Sequence, residues 1–324
     1  MFYNSKMNTL KKIAITIGDP AGIGPEIVLK AIMSHEIAGL CEPIIIGDIA
    51  VLEEAVEKLN IPVDLNSLKI INTGEIKDRN FQRCKSTAEG GRACVSYIKK
   101  AAELALNKEV DAIVTAPISK ESLKMAGFKW PGHTEMLAEL TTTKDYAMMF
   151  YSDKLKVILV TIHTALKNVP DLIKKEKVLK TITLAKKSCD MMSIENPKIA
   201  VAGLNPHAGE AGIFGDEEIK EIIPAINEAQ ASGISASGPY PADTLFHKAY
   251  KGEFDIIVCM YHDQGLIPLK MIAFDKAVNV TIGLPIIRTS PDHGTAYDIA
   301  WKGIANPSSM IEAIKLAARL KRCE

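Results

Sequence analysis

The 324-residue sequence has no excess of charge of either sign: 39 Lys and Arg offset 39 Asp and Glu, for a formal net charge of +0. A neutral balance gives no bulk field for nucleic acid or an anionic membrane, although a local anion pocket remains compatible with it. No apolar run approaches the roughly 18 residues of a membrane span. The opening residues, Met1-Phe-Tyr-Asn-Ser-Lys-Met-Asn-Thr-Leu, lack the apolar core of a secretory signal and read as a short ragged end. Cys41, Cys84, Cys94, Cys189, Cys259 and Cys323 are scattered without a C-x-x-C pair. That pattern excludes a disulfide framework or zinc knuckle and suits reduced packing residues in a cytoplasmic protein. There is no low-complexity tract, no fixed-period repeat and no Ser/Gly-rich linker, so any two domains are expected to interleave.

What is present is the balance of a globular enzyme, 47% apolar and 24% charged. The length exceeds the usual single-core limit, so two lobes are the default. Short apolar runs alternate with longer segments of helical period, the pattern of a parallel sheet covered by helices. Strands are expected at 13–17, 43–47, 111–116, 156–163, 198–204, 254–262 and 277–282. Helices are expected from near Pro25, over 50–59, 90–106 and 172–189, and at 308–319. The lobe boundaries are placed at 1–125 plus 275–324 for a discontinuous first lobe and 126–274 for the second.

Three histidines, His163, His207 and His262, each follow a strand-like apolar run. Ligands of open parallel sheets bind beyond the carboxyl ends of the strands, where these imidazoles would emerge. Three neutral imidazoles with coordination positions to spare suit a catalytic divalent metal. Ordinary loop histidines are the competing reading. Gly18-Asp-Pro-Ala-Gly-Ile-Gly-Pro-Glu26 joins the first strand to the first helix and reads as an anion-holding loop or as a tight structural turn. It is not a dinucleotide fingerprint, because Ile27 stands where the third glycine belongs. His133 and Thr134 are adjacent and suit either a polar ligand or a helix cap. Asp243 is read as a carboxylate that orients an imidazole, or as a plain cap. Lys270, Asn279 and Arg288 form a candidate anion pocket, the alternative being surface salt bridges.

Taken together with Gly132-His-Thr-Glu135, Asn205-Pro-His-Ala-Gly-Glu210, Pro241-Ala-Asp-Thr-Leu-Phe246, Tyr261-His-Asp-Gln-Gly265 and Arg288-Thr-Ser-Pro-Asp-His-Gly-Thr295, the chain resembles the 4-hydroxythreonine-4-phosphate dehydrogenase family of vitamin B6 biosynthesis, from about Lys12 to Ile314. The resemblance implies a two-lobed α/β fold like that of the isocitrate and isopropylmalate dehydrogenases, not a Rossmann fold. It implies an active site between the lobes and at a homodimer interface. His163, His207 and His262 would hold a divalent metal, zinc first, with magnesium, manganese or cobalt as alternatives. His133, Thr134, Lys270, Asn279 and Arg288 would contact a phosphorylated substrate. NAD or NADP would accept the hydride, on residues the motifs do not identify. The general acid/base is open among Lys270, Asp243, His293 and a metal-bound water. The implied reaction is oxidation of 4-phosphohydroxy-L-threonine to a 3-oxo acid, which decarboxylates to 3-amino-2-oxopropyl phosphate. Relatives acting on 4-phospho-D-threonate or 4-phospho-D-erythronate keep the same motifs, and a non-catalytic ligand-binding protein on this scaffold is the reading from another class.

Overall fold

The computed structural model describes residues 10–322. The ragged start at 1–9 and Cys323 lie outside them. The chain divides into two compact units, one running to Leu137 and resuming over His293–Ala318, the other formed by Ala138–Asp292 and the residues from Arg319. Both are α/β, with sheets flanked by helices, as the alternating pattern predicts.

In the first unit the order is β1 (Lys12–Thr16), α1 (Gly24–Ile32), β2 (Glu42–Gly47), α2 (Ile49–Lys58), β3 (Lys69–Asn72), α3 (Ala88–Leu106), β4 (Ala112–Thr115), α4 (Lys120–Met125) and the start of α5 (His133–Leu140). The strands lie in the order β3-β2-β1-β4, all parallel. β1 and β4 are apolar and buried along nearly their whole length because helices cover both faces.

The glycine-rich motif after β1 is a structural turn. Gly18 takes φ +71°, and a Cβ there would stand 2.3 Å from the Pro117 carbonyl. Three of the motif's N–H groups are spent internally: Ala21 donates to the Asp19 carboxylate, Gly22 to the Asp19 carbonyl and Ile23 to the Thr295 carbonyl. Asp19 is fully buried and also accepts from the Ser122 and Tyr297 hydroxyls at 2.9 and 2.7 Å. Burial pushes its carboxyl pKa above the ordinary value, and the three donors only partly offset that. Asp19→Ala strands those donors and should cost about 3 kcal/mol in chemical denaturation. Asp19→Asn keeps acceptor and donor capacity without the charge. A raised carboxyl pKa contributes stability below the unfolded value that is lost as pH rises through the folded value. Melting curves from pH 4 upward (about the unfolded value) should therefore shift in favour of Asp19→Asn over that window and run parallel above it.

The second unit holds β5 (Ala147–Tyr151), β6 (Lys156–Leu159), α6 (Val169–Leu172), α7 (Lys175–Met191), β7 (Ile199–Ala202), α8 (Ile223–Ala231), β8 (Ala236–Tyr240), α9 (Ala242–Tyr250), β9 (Ile256–Cys259), α10 (His262–Ala273), β10 (Val278–Ile282) and β11 (Ile287–Pro291); α11 (Ser308–Arg319) follows in the first unit. Its strand order is β11-β10-β5-β6-β9-β7-β8. β6, β9, β7 and β8 run parallel, whereas β5 and β10 are antiparallel to their neighbours, so this sheet is mixed. Residues 278–291, placed in the first lobe by the sequence expectation, sit in the second unit because β10 pairs with β5 and β11 with β10. One face of the sheet packs Phe150, Leu159, Ala202 and Cys259 against Leu266 and Leu269 of α10 and Leu245 of α9.

The five described cysteines are free thiols. Burial pushes the Cys41 thiol up to about 11 and the Cys189 thiol up to about 12, which leaves both inert packing groups. Among the described residues no helix is long and apolar enough to cross a membrane.

Candidate active site

β6, β9 and β7 are consecutive parallel neighbours, so the loops leaving their carboxyl ends emerge side by side. Each strand ends earlier than its apolar run suggests. His163 lies four residues past β6, His207 five past β7, and His262 three past β9, where it opens α10. The rings of His163 and His262 stand 5.7 Å apart, centroid to centroid. Phe150 of β5 meets His262 edge-on at 6.5 Å.

Two of the imidazoles already bear carboxylate partners. His262 Nδ1 lies 2.7 Å from Asp263 Oδ1, and His207 Nδ1 lies 3.0 Å from Glu210 Oε2. With Nδ1–H donated to a carboxylate, Nε2 carries the lone pair a metal requires. In residue type this donor set, three imidazoles at neighbouring strand ends with two of them oriented by acids, is one that suits a catalytic divalent ion. His207 is not gathered with the other two: its ring lies against Phe214, and among the described residues no three His, Cys, Asp or Glu side chains form a ready metal cluster. The backbone accounts for its position. His207, Ala208, Gly209, Glu210 and Ala211 have φ of 53°, 53°, 84°, 43° and 55°, a left-handed turn with a single glycine. Left-handed conformation costs an L-residue about 1–2 kcal/mol, and such strain concentrates at functional loops.

The turn is anchored by an acid the sequence reading did not single out. Glu218 is 1% exposed and accepts the Leu204 and Asn205 N–H groups at 2.8 Å each and the Asn205 amide at 3.0 Å. Beside His163 and His262 a cavity of about 460 Å³ is walled by Ile162, Ala165, Leu166, Val169 and Tyr261.

Asn279 on β10 is paired with Phe150 on one side and Ser290 on the other, so the three side chains share a face of the sheet. Arg288, two residues before Ser290 on β11, shares that face and is 2% exposed; its Nη1 donates to Thr281 Oγ1 at 3.1 Å. The Asn279 Oδ1 atom is buried without a hydrogen-bond partner. α10, which packs on the same face, carries Lys270, whose Nζ lies 3.2 Å from Asp292. Three of the five expected substrate residues thus gather over one face of the second unit. His133 and Thr134 lie in the first unit, in the opening turn of α5, with Thr134 buried. Asp243 is exposed in the first turn of α9 and bonds to none of the three histidines; Glu210 and Asp263 hold the orienting positions instead. His293 is exposed, its Nδ1 3.1 Å from the Gly294 carbonyl.

Residues 39–317 match the family described as Pyridoxal phosphate biosynthetic protein PdxA. The chain is 45% identical over 320 residues to the 4-hydroxythreonine-4-phosphate dehydrogenase of Desulforapulum autotrophicum, covering 94% of each protein. It is 46% identical over 324 residues to the D-threonate 4-phosphate dehydrogenase of Salmonella typhimurium, covering 96% of this chain and 99% of that one. The crystal structure of 4-hydroxythreonine-4-phosphate dehydrogenase from Klebsiella pneumoniae matches with a TM-score of 0.89 at 41% identity, over 96% of this chain and 98% of that one.

Proposed function

The chain belongs to the PdxA family of pyridoxal phosphate biosynthetic proteins, and from that premise we propose that it is the metal- and NAD(P)-dependent dehydrogenase of 4-phosphohydroxy-L-threonine. The single observation that carries the reading is the pair of rings at 5.7 Å, His163 and His262, on a unit that also presents Arg288, Asn279 and Lys270. His163, His207 and His262 would hold the metal, zinc being the ion best suited to three imidazoles. When bound, the metal supplies Lewis-acid stabilisation of charge on substrate oxygens, and the nicotinamide supplies a hydride acceptor.

The chain's own residues do the rest. Arg288 offers a planar fork to the phosphate, with Lys270 as a second cation. The open acceptor of Asn279 suits an N–H or O–H of the same substrate. Gripping the anionic groups fixes the rest of the molecule, so the C3–H is aimed rather than left to tumble. Asp263 and Glu210 hold two imidazoles by Nδ1, so no reorientation is needed as charge develops. The 3-hydroxyl loses its proton and C3 its hydride; the resulting 3-oxo acid then releases its carboxylate as CO2, and C2 takes up a proton in its place. Leu166, Val169 and Ile162 line the cavity with apolar surface that limits water beside the histidines.

A second reading, oxidation of 4-phospho-D-threonate, is supported by the 46% identity to an enzyme of that name. Both substrates share the phosphate and the oxidised hydroxyl and differ at C2, so the same residues serve both. Parallel measurement of kcat/KM for the two compounds tests the assignment. A preference for 4-phosphohydroxy-L-threonine supports the first reading, and turnover of 4-phospho-D-threonate alone overturns it in favour of the second.

The enzyme is further proposed to act as a homodimer in the cytoplasm. On α10, which begins with His262, Ile267, Met271 and Phe274 form an outward apolar stripe, Met271 being 82% exposed. Single exposed apolar residues are ordinary, but a stripe of three along one helix calls for a cover, and a second copy would place it beside the site. Met271→Asp should shift the mass measured by light scattering from dimer to monomer and lower kcat/KM with it; a wild-type monomer would contradict this.

A further inference from the structure

The three proposed metal ligands sit on three separate loops, and the structure joins those loops by buried hydrogen bonds that centre on Met260. Met260 immediately follows β9 and is fully buried. Its carbonyl accepts from the Thr161 hydroxyl at 2.7 Å and from the Thr161 N–H at 3.2 Å. Its N–H donates to Gln264 Oε1 at 2.7 Å. The Gln264 amide in turn donates from Nε2 to the Gly203 carbonyl at 2.7 Å. Each histidine is close in sequence to one member of this series. His163 is two residues past Thr161, His262 lies between Met260 and Gln264, and His207 is four residues past Gly203. From Gly203 the restraint continues, since the next two N–H groups are held by Glu218.

We infer that Thr161 and Gln264 are positioning residues for the metal site, forming a clasp that holds the three histidine loops in register. The inference rests on the metal reading above. Backbone pairing alone does not supply this registration: past β6 and β9 it continues through the Val160 and Thr161 N–H groups to the Cys259 and Met260 carbonyls, and the link onward to the loop after β7 is the Gln264 side chain. Nor is packing alone enough. Thr161 and Gln264 are buried polar side chains, and a buried hydroxyl or amide is tolerated only where its bonds are made. Gln264 uses both ends of its amide, Oε1 on its own β9–α10 segment and Nε2 on the loop after β7, so moving the two loops apart breaks a bond in a dry environment. The series touches none of the anion-binding side chains. Its loss should therefore appear in metal affinity rather than in phosphate affinity.

The test is titration of Co2+ alone into metal-stripped protein, read by calorimetry and by the visible absorption of the bound ion, with inorganic phosphate affinity measured alongside. Gln264→Met removes both amide bonds at nearly constant volume, Thr161→Val removes the hydroxyl alone, and Thr161→Ser restores it. Supporting outcomes of residues around a metal site are losses of about 10–100-fold in affinity, and that range is expected for Gln264→Met and Thr161→Val. Thr161→Ser should bind Co2+ like the wild type, and phosphate affinity should not change in any of the three. Folded Thr161→Val with unchanged Co2+ affinity overturns the inference, as does Thr161→Ser binding as weakly as Thr161→Val, which would assign the loss to packing. If Gln264→Met does not fold, the Thr161 pair decides. Failure of the wild type to bind one Co2+, or indifference of its binding to His262→Ala, would instead overturn the metal reading itself.

Discussion

His262→Ala should lower dehydrogenase kcat by about three orders of magnitude or more while leaving a folded protein. Lewis-acid stabilisation of a developing charge is worth several kcal/mol, and each ~1.4 kcal/mol is a factor of ten in rate. Of the three proposed ligands, His262 is the one whose loss should matter most. Its ring faces His163, its Nδ1 is held by Asp263, and it opens the helix that carries Lys270. Its fold contribution is small by comparison. The side chain is partly exposed, and its contacts include one carboxylate and the rings of Phe150 and His163. A circular-dichroism melt close to that of the wild type, together with lost activity at saturating metal, is the expected pair of results. Activity retained at wild-type metal concentrations would make His262 an ordinary loop residue.

The second large effect is expected at Arg288. A guanidinium 2% exposed on a strand is an expensive side chain to bury, and its fork geometry matches phosphate oxygens in a way an ammonium does not. Arg288→Met should lower kcat/KM for the phosphorylated substrate by about 100-fold to 1,000-fold, as expected if one or two charge-assisted hydrogen bonds worth about 1.5–3 kcal/mol each are lost. Most of the change should fall on KM, since phosphate is gripped in ground and transition states alike. Arg288→Lys should recover only part of it. Competition by inorganic phosphate separates the roles: it should weaken in Arg288→Met and persist in His262→Ala. Equal phosphate competition in wild type and Arg288→Met would remove Arg288 from the anion site.

How much of this was legible in the sequence depended on whether a residue's signal was local. The strands β1, β2, β4, β7 and β9 are built on short apolar runs, and β10 nearly so, and all fall within or beside the expected segments, β7 and β9 ending short of them. β8, Ala-Ser-Gly-Pro-Tyr, contains a glycine and a proline and carries no strand signature, and it forms at the edge of its sheet. β11, Ile-Arg-Thr-Ser-Pro, is polar yet buried, a pattern that reads as loop until β10 is seen beside it. Missing that antiparallel pair is also why residues 278–291 were assigned to the wrong side of the division between units. Within the site, the three histidines were visible because each interrupts an apolar run. Asp263 and Glu210 lay within quoted motifs, but nothing in spacing says which imidazole a nearby acid will meet. Glu218 and Thr161 were beyond reach, because their roles come from hydrogen bonds to backbone groups 13 and 99 residues away.

The central claim is that a metal held by histidines drives oxidation of a phosphorylated hydroxy acid. Its most direct test is NADH formation from 4-phosphohydroxy-L-threonine by protein first stripped with a chelator and then titrated with Zn2+. Turnover that is absent in the stripped protein, returns with one equivalent of metal, and fails to return in His262→Ala is the predicted result. Full turnover by the stripped protein would contradict the account.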